Sequence, residues 1–220
     1  KNAPKEEWEA YEIEKKTRNL SFYFIEALTS AREELNKLGF ENKKLLAVVD
    51  GSFCNKNCMN FDLPNVAIIA RTRKNAGLCF KLKKKIGKRF YQKKMFTPED
   101  VRQDKNINWI PASAFHSGNW REIKYKEIKE VYWKTGTKMK PVRLIIIAPT
   151  AYRLTKTGKL YYRDPAYLLT TDLATDALVL IQKYLDRWQI EVNFREEKND
   201  LGLGQAQVWS AESVNKQPAF

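Results

Sequence analysis

Histidine and cysteine are scarce in this 220-residue sequence, which contains one His (His116) and three Cys (Cys54, Cys58 and Cys79). A zinc site would need unusual third and fourth ligands, and three cysteines do not form an even disulfide framework. The longest apolar run, VRLIIIAP, is far shorter than the roughly 20 residues that cross a bilayer. The first residues, KNAPKEEWEAYEIEKK, are charged throughout, unlike a signal peptide. We therefore expect a cytoplasmic protein with reduced thiols and no membrane partner.

Acidic residues are missing from residues 71–94, which contain 11 Lys and Arg. Residues 71–164 together hold 25 Lys and Arg against 7 Asp and Glu, while the whole chain has a net charge of +14. Such asymmetry indicates a surface that binds a polyanion, with DNA contact expected at residues 71–94. Phe80, Phe90 and Tyr91 lie within this stretch and are candidates for stacking on unpaired bases, although a solvated charge run with core aromatics is the alternative.

Hydrophobic residues make up 43% of the chain and predict a packed core. Helical periodicity predicts helices over residues 5–16 and 18–38, followed by two apolar strands in KKLLAVVDG and NVAIIARTR. This order favours an α/β layer. Residues 75–164 are rich in β-formers and predict a β-rich insertion. AYLLTT predicts a further strand, and a single long helix is expected over 174–199, ending at DLGLG.

Four side chains near the C-terminal end share one stripe of the long predicted helix. Tyr184, Arg187, Glu191 and Lys198 have offsets of 0, 3, 7 and 14 residues. At about 100° per residue these positions fall within a narrow sector. A stripe with one acid and three donors that can bind phosphate is more typical of a site than of a solvated face.

Two carboxylates are placed as metal ligands often are. Asp50 ends a predicted strand, and Glu191 lies on the predicted helix. Mg²⁺ prefers hard oxygen ligands and accepts a few carboxylates together with substrate phosphate oxygens. Two such ions can support phosphodiester chemistry. Strand-end aspartates are also common turn formers, so these two residues alone are a weak signal.

The segment YLDRWQIEVNFREEK resembles the Y-x2-R-x3-E-x6-K (YREK) signature of bacterial insertion-sequence transposases with a DDE acidic triad. AYLLTTDL and VVDGSF also resemble that family, and the similarity spans roughly residues 40–205. It implies an RNase H-like mixed sheet with flanking helices, interrupted by a β-rich basic insertion. We accordingly divide the chain into a first core part (1–74), the insertion (75–164) and a last core part with the glutamate helix (165–220).

The same resemblance implies a function. Glu191 would be the triad glutamate, and with Asp50 it would bind Mg²⁺, for which Mn²⁺ is expected to substitute. Tyr184, Arg187 and Lys198 would bind phosphates of the transposon-end DNA. The implied activity is hydrolysis of phosphodiesters and strand transfer into target DNA, carried out by a homodimer. A non-catalytic DNA-binding remnant of a transposase and an RNase H-like nuclease are the alternatives.

The position of the second triad aspartate has two interpretations. In the first interpretation, Asp50 is the first aspartate of the triad and Asp172 is the second. In the other interpretation, Asp50 is the second aspartate. Asp172 lies only 19 residues before Glu191, which leaves no room for the insertion, so the second interpretation is favoured. The chain begins at Lys1, and its first methionine is Met59, so we interpret it as part of a longer protein with the first aspartate upstream.

Aromatic residues could also contact DNA. Trp109, Trp120 and Trp133 lie in the insertion and are candidates for packing beside a flipped base, although most of them are expected in the core. Trp188 could pack in the core or stack on a base, and packing in the core is expected. His116 is expected in a loop or in packing, because two-metal chemistry needs no histidine.

Overall fold

A computed structural model of the chain describes residues 4–86, 89–116, 118–153, 155 and 157–200, without the side chains of residues 16, 83–86 and 89. The last part of the predicted region 165–220, including the expected helix end in DLGLG, lies outside the described residues. The helices are α1 (Lys5–Thr17), α2 (Leu20–Lys37), α3 (Lys56–Met59), α4 (Pro98–Gln103), α5 (Ala177–Asp186) and α6 (Trp188–Asp200). None of the helices in this part of the chain is both long and apolar enough to cross a bilayer.

Ten strands form one large sheet and one small ladder in the described residues. They are β1 (Leu45–Val49), β2 (Val66–Arg71), β3 (Leu78–Ile86), β4 (Arg89–Phe96), β5 (Ile110–His116), β6 (Asn119–Tyr132), β7 (Pro141–Ile147), β8 (Ala151–Arg153), β9 (Leu160–Tyr162) and β10 (Ala166–Thr170). The sheet has the order β1-β2-β10-β7-β6-β3-β4, with β5 beside β6, and β8 pairs with β9 alone. Among the ladders of the described residues, β1 and β2 pair in parallel and the others are antiparallel.

The core lies on both faces of the sheet. Along β2, Ile68 packs in a cluster that includes Leu28 of α2, whereas Ile69 packs with Leu180 and Ile181 of α5. Successive side chains of a strand point to opposite faces, so a strand covered on both sides is apolar throughout. This explains why the central strands β2, β7 and β10 have nearly continuous apolar sequences.

The fold agrees with the sequence at the level of a mixed α/β protein with flanking helices. The strands predicted in KKLLAVVDG, NVAIIARTR and AYLLTT are present within two residues at each end, and the apolar run VRLIIIAP forms most of β7. Strands from the β-rich region 75–164 join the same sheet as β1, β2 and β10, because β7 pairs with β10 on one side and with β6 on the other.

The prediction of one helix over 174–199 is wrong, because the helix is divided at Arg187 into α5 and α6. Helix α5 buries Ala177, Leu180 and Ile181 against the sheet, whereas α6 has no buried residue. The second half therefore lacks the packing that stabilises most protein helices. The backbone at Arg187 keeps right-handed helical angles (φ −52°, ψ −31°), so the interruption is local.

Candidate active site

Asp50 follows the last residue of β1 at the sheet end where β2 also terminates. Its Oδ1 accepts a hydrogen bond of 2.8 Å from the backbone N–H of Ser52 and thereby caps a 3₁₀ turn, Gly51–Phe53. The parallel register pairs Val49 with Ala70, so Asp50 and Arg71 are neighbours across the two strands. Asp50 is exposed and available to a ligand.

Glu191 lies in the first turn of α6, and its side chain is 42% exposed. Nη2 of Arg187 lies 2.8 Å from Oε1 of Glu191, an ion pair that spans the interruption between α5 and α6. Two residues of the predicted stripe therefore remain on one face, because this i,i+4 contact needs helical geometry. Nε of Arg187 is buried and has no hydrogen-bond partner among the described residues.

The Tyr184 phenol lies among charged side chains. Burial raises the pKa of Tyr184. The positive charges of Arg71 and Arg187 oppose this rise, whereas the negative charges of Glu191 and Asp50 add to it. Arg71, at the end of β2, lines one cavity with Asp50 and another with Tyr184 and Arg187, and Arg187 pairs with Glu191, so the five side chains lie at one end of the sheet. Tyr184 therefore remains a protonated hydrogen-bond donor at neutral pH.

Lys198 lies farther along the chain from Asp50's neighbours on the helix, after the other three residues of the signature. It lies seven residues after Glu191 on α6, which corresponds to about 10 Å along the helix axis. The structure therefore gathers Asp50, Tyr184, Arg187 and Glu191, and places the exposed Lys198 farther along the same helix. A DNA backbone extending along α6 could contact both positions.

Asp172 occupies the opposite end of the sheet. Its Oδ2 lies 2.8 Å from Nζ of Lys44, the residue directly before β1, whereas Asp50 directly follows β1. Six residues of extended chain separate Lys44 from Asp50 by about 20 Å. The interpretation in which Asp50 and Asp172 share a metal site is therefore wrong.

Asp172 instead stabilises the loop between β10 and α5. Oδ1 accepts hydrogen bonds of 3.0 Å from the backbone N–H groups of Ala174 and Thr175. Burial alone would raise the pKa of Asp172, but the hydrogen bond from Lys44 and those from Thr175 and Ala174 lower it to about 2. The cap of α5 itself is Asp176, whose side chain accepts from the backbone N–H of Leu178.

Arg71 is a site residue that the sequence did not single out. It borders three neighbouring cavities: one of about 900 Å³ with Asp50, one of about 700 Å³ with Arg102, and one of about 460 Å³ with Tyr184. Its side chain forms no ion pair within the described part of the chain. The available signal was its position at the end of the strand after β1, since parallel strands end at the same edge of a sheet.

The tryptophans differ in exposure. Trp188 is 46% exposed and lines the cavity of about 460 Å³, so the prediction that it packs in the core is wrong. The reason is that α6 buries no residue. Trp109 and Trp133 are partly buried against the core, whereas Trp120 is 71% exposed near the turn between β5 and β6. Of the three insertion tryptophans, Trp120 alone has a largely open ring.

The aromatic residues of the basic stretch are used mainly in packing. The rings of Phe90 and Tyr91 contact Tyr132 with centroid distances of 5.2 and 6.0 Å. Phe80 stacks on Phe96 at 4.7 Å and is 37% exposed. Residues 87–88 of this stretch lie outside the described residues. Phe80 is the most exposed of these three residues, whereas Phe90 and Tyr91 are half-buried.

The donor set at Asp50 and Glu191 fits Mg²⁺ chemically, because carboxylate oxygens are the ligands that this ion prefers. It is a small set: no group of three or more His, Cys, Asp or Glu able to hold a metal occurs in the described ranges. One oxygen of Glu191 also binds Arg187. Phosphate oxygens of a bound nucleic acid are the additional ligands that such a site would need.

Comparison with known proteins identifies no relative. No protein-family model, curated protein or solved structure matches the chain.

Proposed function

We propose that this chain is the catalytic part of a DNA transposase of the DDE type with an RNase H-like core. The observation on which this rests is that Arg71 lines one cavity with Asp50 and a second with Tyr184 and Arg187, and that Arg187 forms an ion pair with Glu191. These residues come from two regions separated by the whole basic part of the sequence. The sequence resemblance to the YREK signature supplies the reaction class.

The cations around the carboxylates support binding of a phosphate backbone. Arg71 has no carboxylate partner in the described part of the chain, and Nε of Arg187 has an unused donor. A buried donor without an acceptor costs free energy, and a phosphate oxygen would remove that cost. Arginine donors suit phosphate because the guanidinium group can make two parallel hydrogen bonds.

Each side chain has a role in this proposal. Asp50 and Glu191 would hold Mg²⁺, or Mn²⁺ in its place, which supplies charge neutralisation at the phosphate and activation of the attacking oxygen. Tyr184 donates a hydrogen bond to a phosphate oxygen, and Arg187 and Lys198 bind phosphates on either side of it. Water is the first nucleophile, and the freed 3′-hydroxyl attacks target DNA second. Two copies would pair two transposon ends.

DNA binding with and without Mg²⁺ tests the proposal. We expect duplex binding that weakens by orders of magnitude between about 50 and 200 mM salt, since several phosphates are neutralised. Mg²⁺ should strengthen binding of the native chain, and Glu191→Gln should remove that gain. Glu196→Gln, an exposed glutamate on the same helix, is the matched control. Salt-sensitive binding without any Mg²⁺ effect would instead favour the non-catalytic DNA-binding alternative.

A nicking assay separates the remaining possibilities. With two carboxylates in place of three, we expect this chain alone to show no robust DNA nicking in Mg²⁺ or Mn²⁺. Robust nicking that Asp50→Ala abolishes would overturn the assignment of Asp50 as the second of three aspartate and glutamate ligands. Joining of pre-cleaved transposon ends by the enzyme would exclude the RNase H-like nuclease alternative.

A further inference from the structure

The outer edge of β5 is closed by a side chain and not by another strand. Among the described residues, β5 pairs only with β6, which leaves its second edge without a strand. At that edge, Oε1 of Gln182 on α5 accepts a hydrogen bond of 2.8 Å from the backbone N–H of Phe115. Nε2 of Gln182 donates a hydrogen bond of 2.9 Å to the carbonyl of the same residue. The amide thus makes the two hydrogen bonds that a neighbouring antiparallel strand would make.

Gln182 also binds the end of its own helix. Its Nε2 donates a further hydrogen bond of 2.8 Å to Oδ1 of Asp186, the last residue of α5. A side-chain amide has two N–H donors, so both donors of Gln182 are used. One half-buried side chain therefore connects β5 to the end of α5, directly before the interruption at Arg187.

Helix α6 has few other contacts that could fix its direction. It buries no residue, and a cavity of about 320 Å³ lies between its first turns and the tip of the β5–β6 hairpin. The hairpin contributes Phe115 and His116 to the lining of this cavity, and α6 contributes Trp188 and Val192. Close packing holds an element in one position, and a gap of this size removes that packing here. The hydrogen bonds of Gln182 therefore form a direct link between the hairpin and the start of α6.

The position of the Glu191 carboxylate depends on this link. Glu191 lies in the first turn of α6, shortly after Asp186, so a small rotation at the junction of the two helices moves it. A metal ion tolerates little of such movement, because metal–ligand distances in proteins vary by only about 0.2 Å. Phe115 is 40% exposed, so water can replace the hydrogen bonds of Gln182 at little cost in stability. Loss of the amide should therefore change the geometry of the site more than the stability of the fold.

We propose that Gln182 is a positioning residue of the candidate active site: by binding the backbone of Phe115 it fixes the end of α5 and so directs the Glu191 carboxylate of α6 towards Asp50. The inference rests on the proposed function and adds to it the residue that orients the glutamate helix. The β5–β6 hairpin has a role in this arrangement as well, because β5 supplies the backbone groups that Gln182 binds.

Pulsed electron paramagnetic resonance on the full 220-residue chain tests the geometric part of the inference. Nitroxide labels on unnatural amino acids replace Lys129 of β6 and Glu196 of α6, which are exposed, and the native cysteines stay in place. We expect one narrow distance distribution for the otherwise native chain. Gln182→Met keeps the length of the side chain without its polar atoms and should broaden or shift that distribution. Val179→Met, at a 48% exposed position of the same helix, is the matched control and should leave it unchanged.

The Mn²⁺ affinity of the protein–DNA complex tests the consequence for the site. Gln182→Met should weaken Mn²⁺ binding by about tenfold, the lower end of the effect of residues that support metal ligands from outside the coordination shell. Val179→Met should bind Mn²⁺ as the native chain does. Urea unfolding should give nearly equal midpoints for the native chain and both variants.

The possible outcomes separate this inference from the proposed function. An unchanged distance distribution or an unchanged Mn²⁺ affinity in Gln182→Met would overturn the positioning role alone. A midpoint of Gln182→Met far below that of the native chain would assign Gln182 to the stability of the fold and would overturn it as well. Failure of the native protein–DNA complex to bind Mn²⁺ would overturn the proposed function. The distance measurement needs neither DNA nor metal, so it would still decide whether Gln182 orients α6.

Discussion

At the scale of single residues, Arg187 makes two distinct contributions. Nη2 binds Glu191 at 2.8 Å, while Nε is buried and lacks a partner in the described part of the chain. A lysine at this position would provide one compact charge and could not bind Glu191 while offering a second donor in another direction. In the proposed function, the planar guanidinium would therefore bind the glutamate and a phosphate at the same time.

Substitution of Arg187 by lysine should weaken DNA binding by about tenfold, because one charged hydrogen bond to phosphate is lost. Arg195→Lys is the control, since Arg195 is an exposed arginine on the same helix. Equilibrium binding to a blunt duplex measures the effect. Equal affinities for Arg187→Lys and the native chain would show that the guanidinium geometry is not used.

Asp172 provides a stability prediction. Its carboxylate is buried and its pKa is lowered to about 2, below the unfolded value near 4. A lowered folded pKa stabilises the protein above the unfolded pKa, and this contribution disappears as the pH falls from about 4 through about 2. Asp172→Asn should lower the free energy of unfolding at pH 7 by about 2 kcal/mol.

Urea unfolding at several pH values checks this prediction. The difference in stability between the native chain and Asp172→Asn should be full at pH 7 and should shrink as the pH falls below about 4. Asp62→Asn is the control, because the Asp62 side chain is 86% exposed and its ion pair with Lys140 should contribute little. A pH-independent difference for Asp172→Asn would contradict the role assigned to its charge.

At the scale of elements, Lys126 shows that a cation of the basic region can stabilise the fold. Lys126 of β6 is 2% exposed, and its Nζ donates to the carbonyls of Val101, Arg102 and Asp104 at 2.6–3.0 Å. These carbonyls belong to the C-terminal end of α4, which has orphan acceptors. Lys126 therefore fastens α4 to the sheet.

Lys126→Met should destabilise the protein by about 2 kcal/mol or more, because three buried carbonyl groups lose their donor. Lys129→Met on the same strand is the matched control, since Lys129 is exposed. Thermal or urea unfolding at neutral pH measures both variants. Equal stability of the two variants would mean that the carbonyls of α4 find other donors without cost.

The elements also show what the sequence could and could not predict. Strands β1, β2, β7 and β10 were predictable, because their apolar runs are bounded by turn residues. The division of the last helix at Arg187 was not, because it depends on where α5 stops packing on the sheet. Charge counting could not distinguish Lys126 from a DNA-binding lysine, since its partners are carbonyls brought near by tertiary structure.

At the scale of the whole molecule, the two ends of β1 have different surroundings. At one end, Lys44 forms an ion pair with Asp172 in the loop between β10 and α5. The other end gathers Asp50, Arg71 and Tyr184. Arg71 lines one cavity with Asp50 and another with Arg187, the partner of Glu191, a connection that the sequence motif alone could only imply. Arg71 was missed because its role depends on the parallel register with β1.

The central claim is that Asp50 and Glu191 jointly hold one divalent ion when DNA is bound. Electron paramagnetic resonance can measure Mn²⁺ affinity of the protein–DNA complex for the native chain, Asp50→Asn, Glu191→Gln and the double variant. Ligands of one ion act as a unit, so each single variant should lose nearly as much affinity as the double variant. Strictly additive losses, or single variants that bind Mn²⁺ as the native chain does, would contradict the claim.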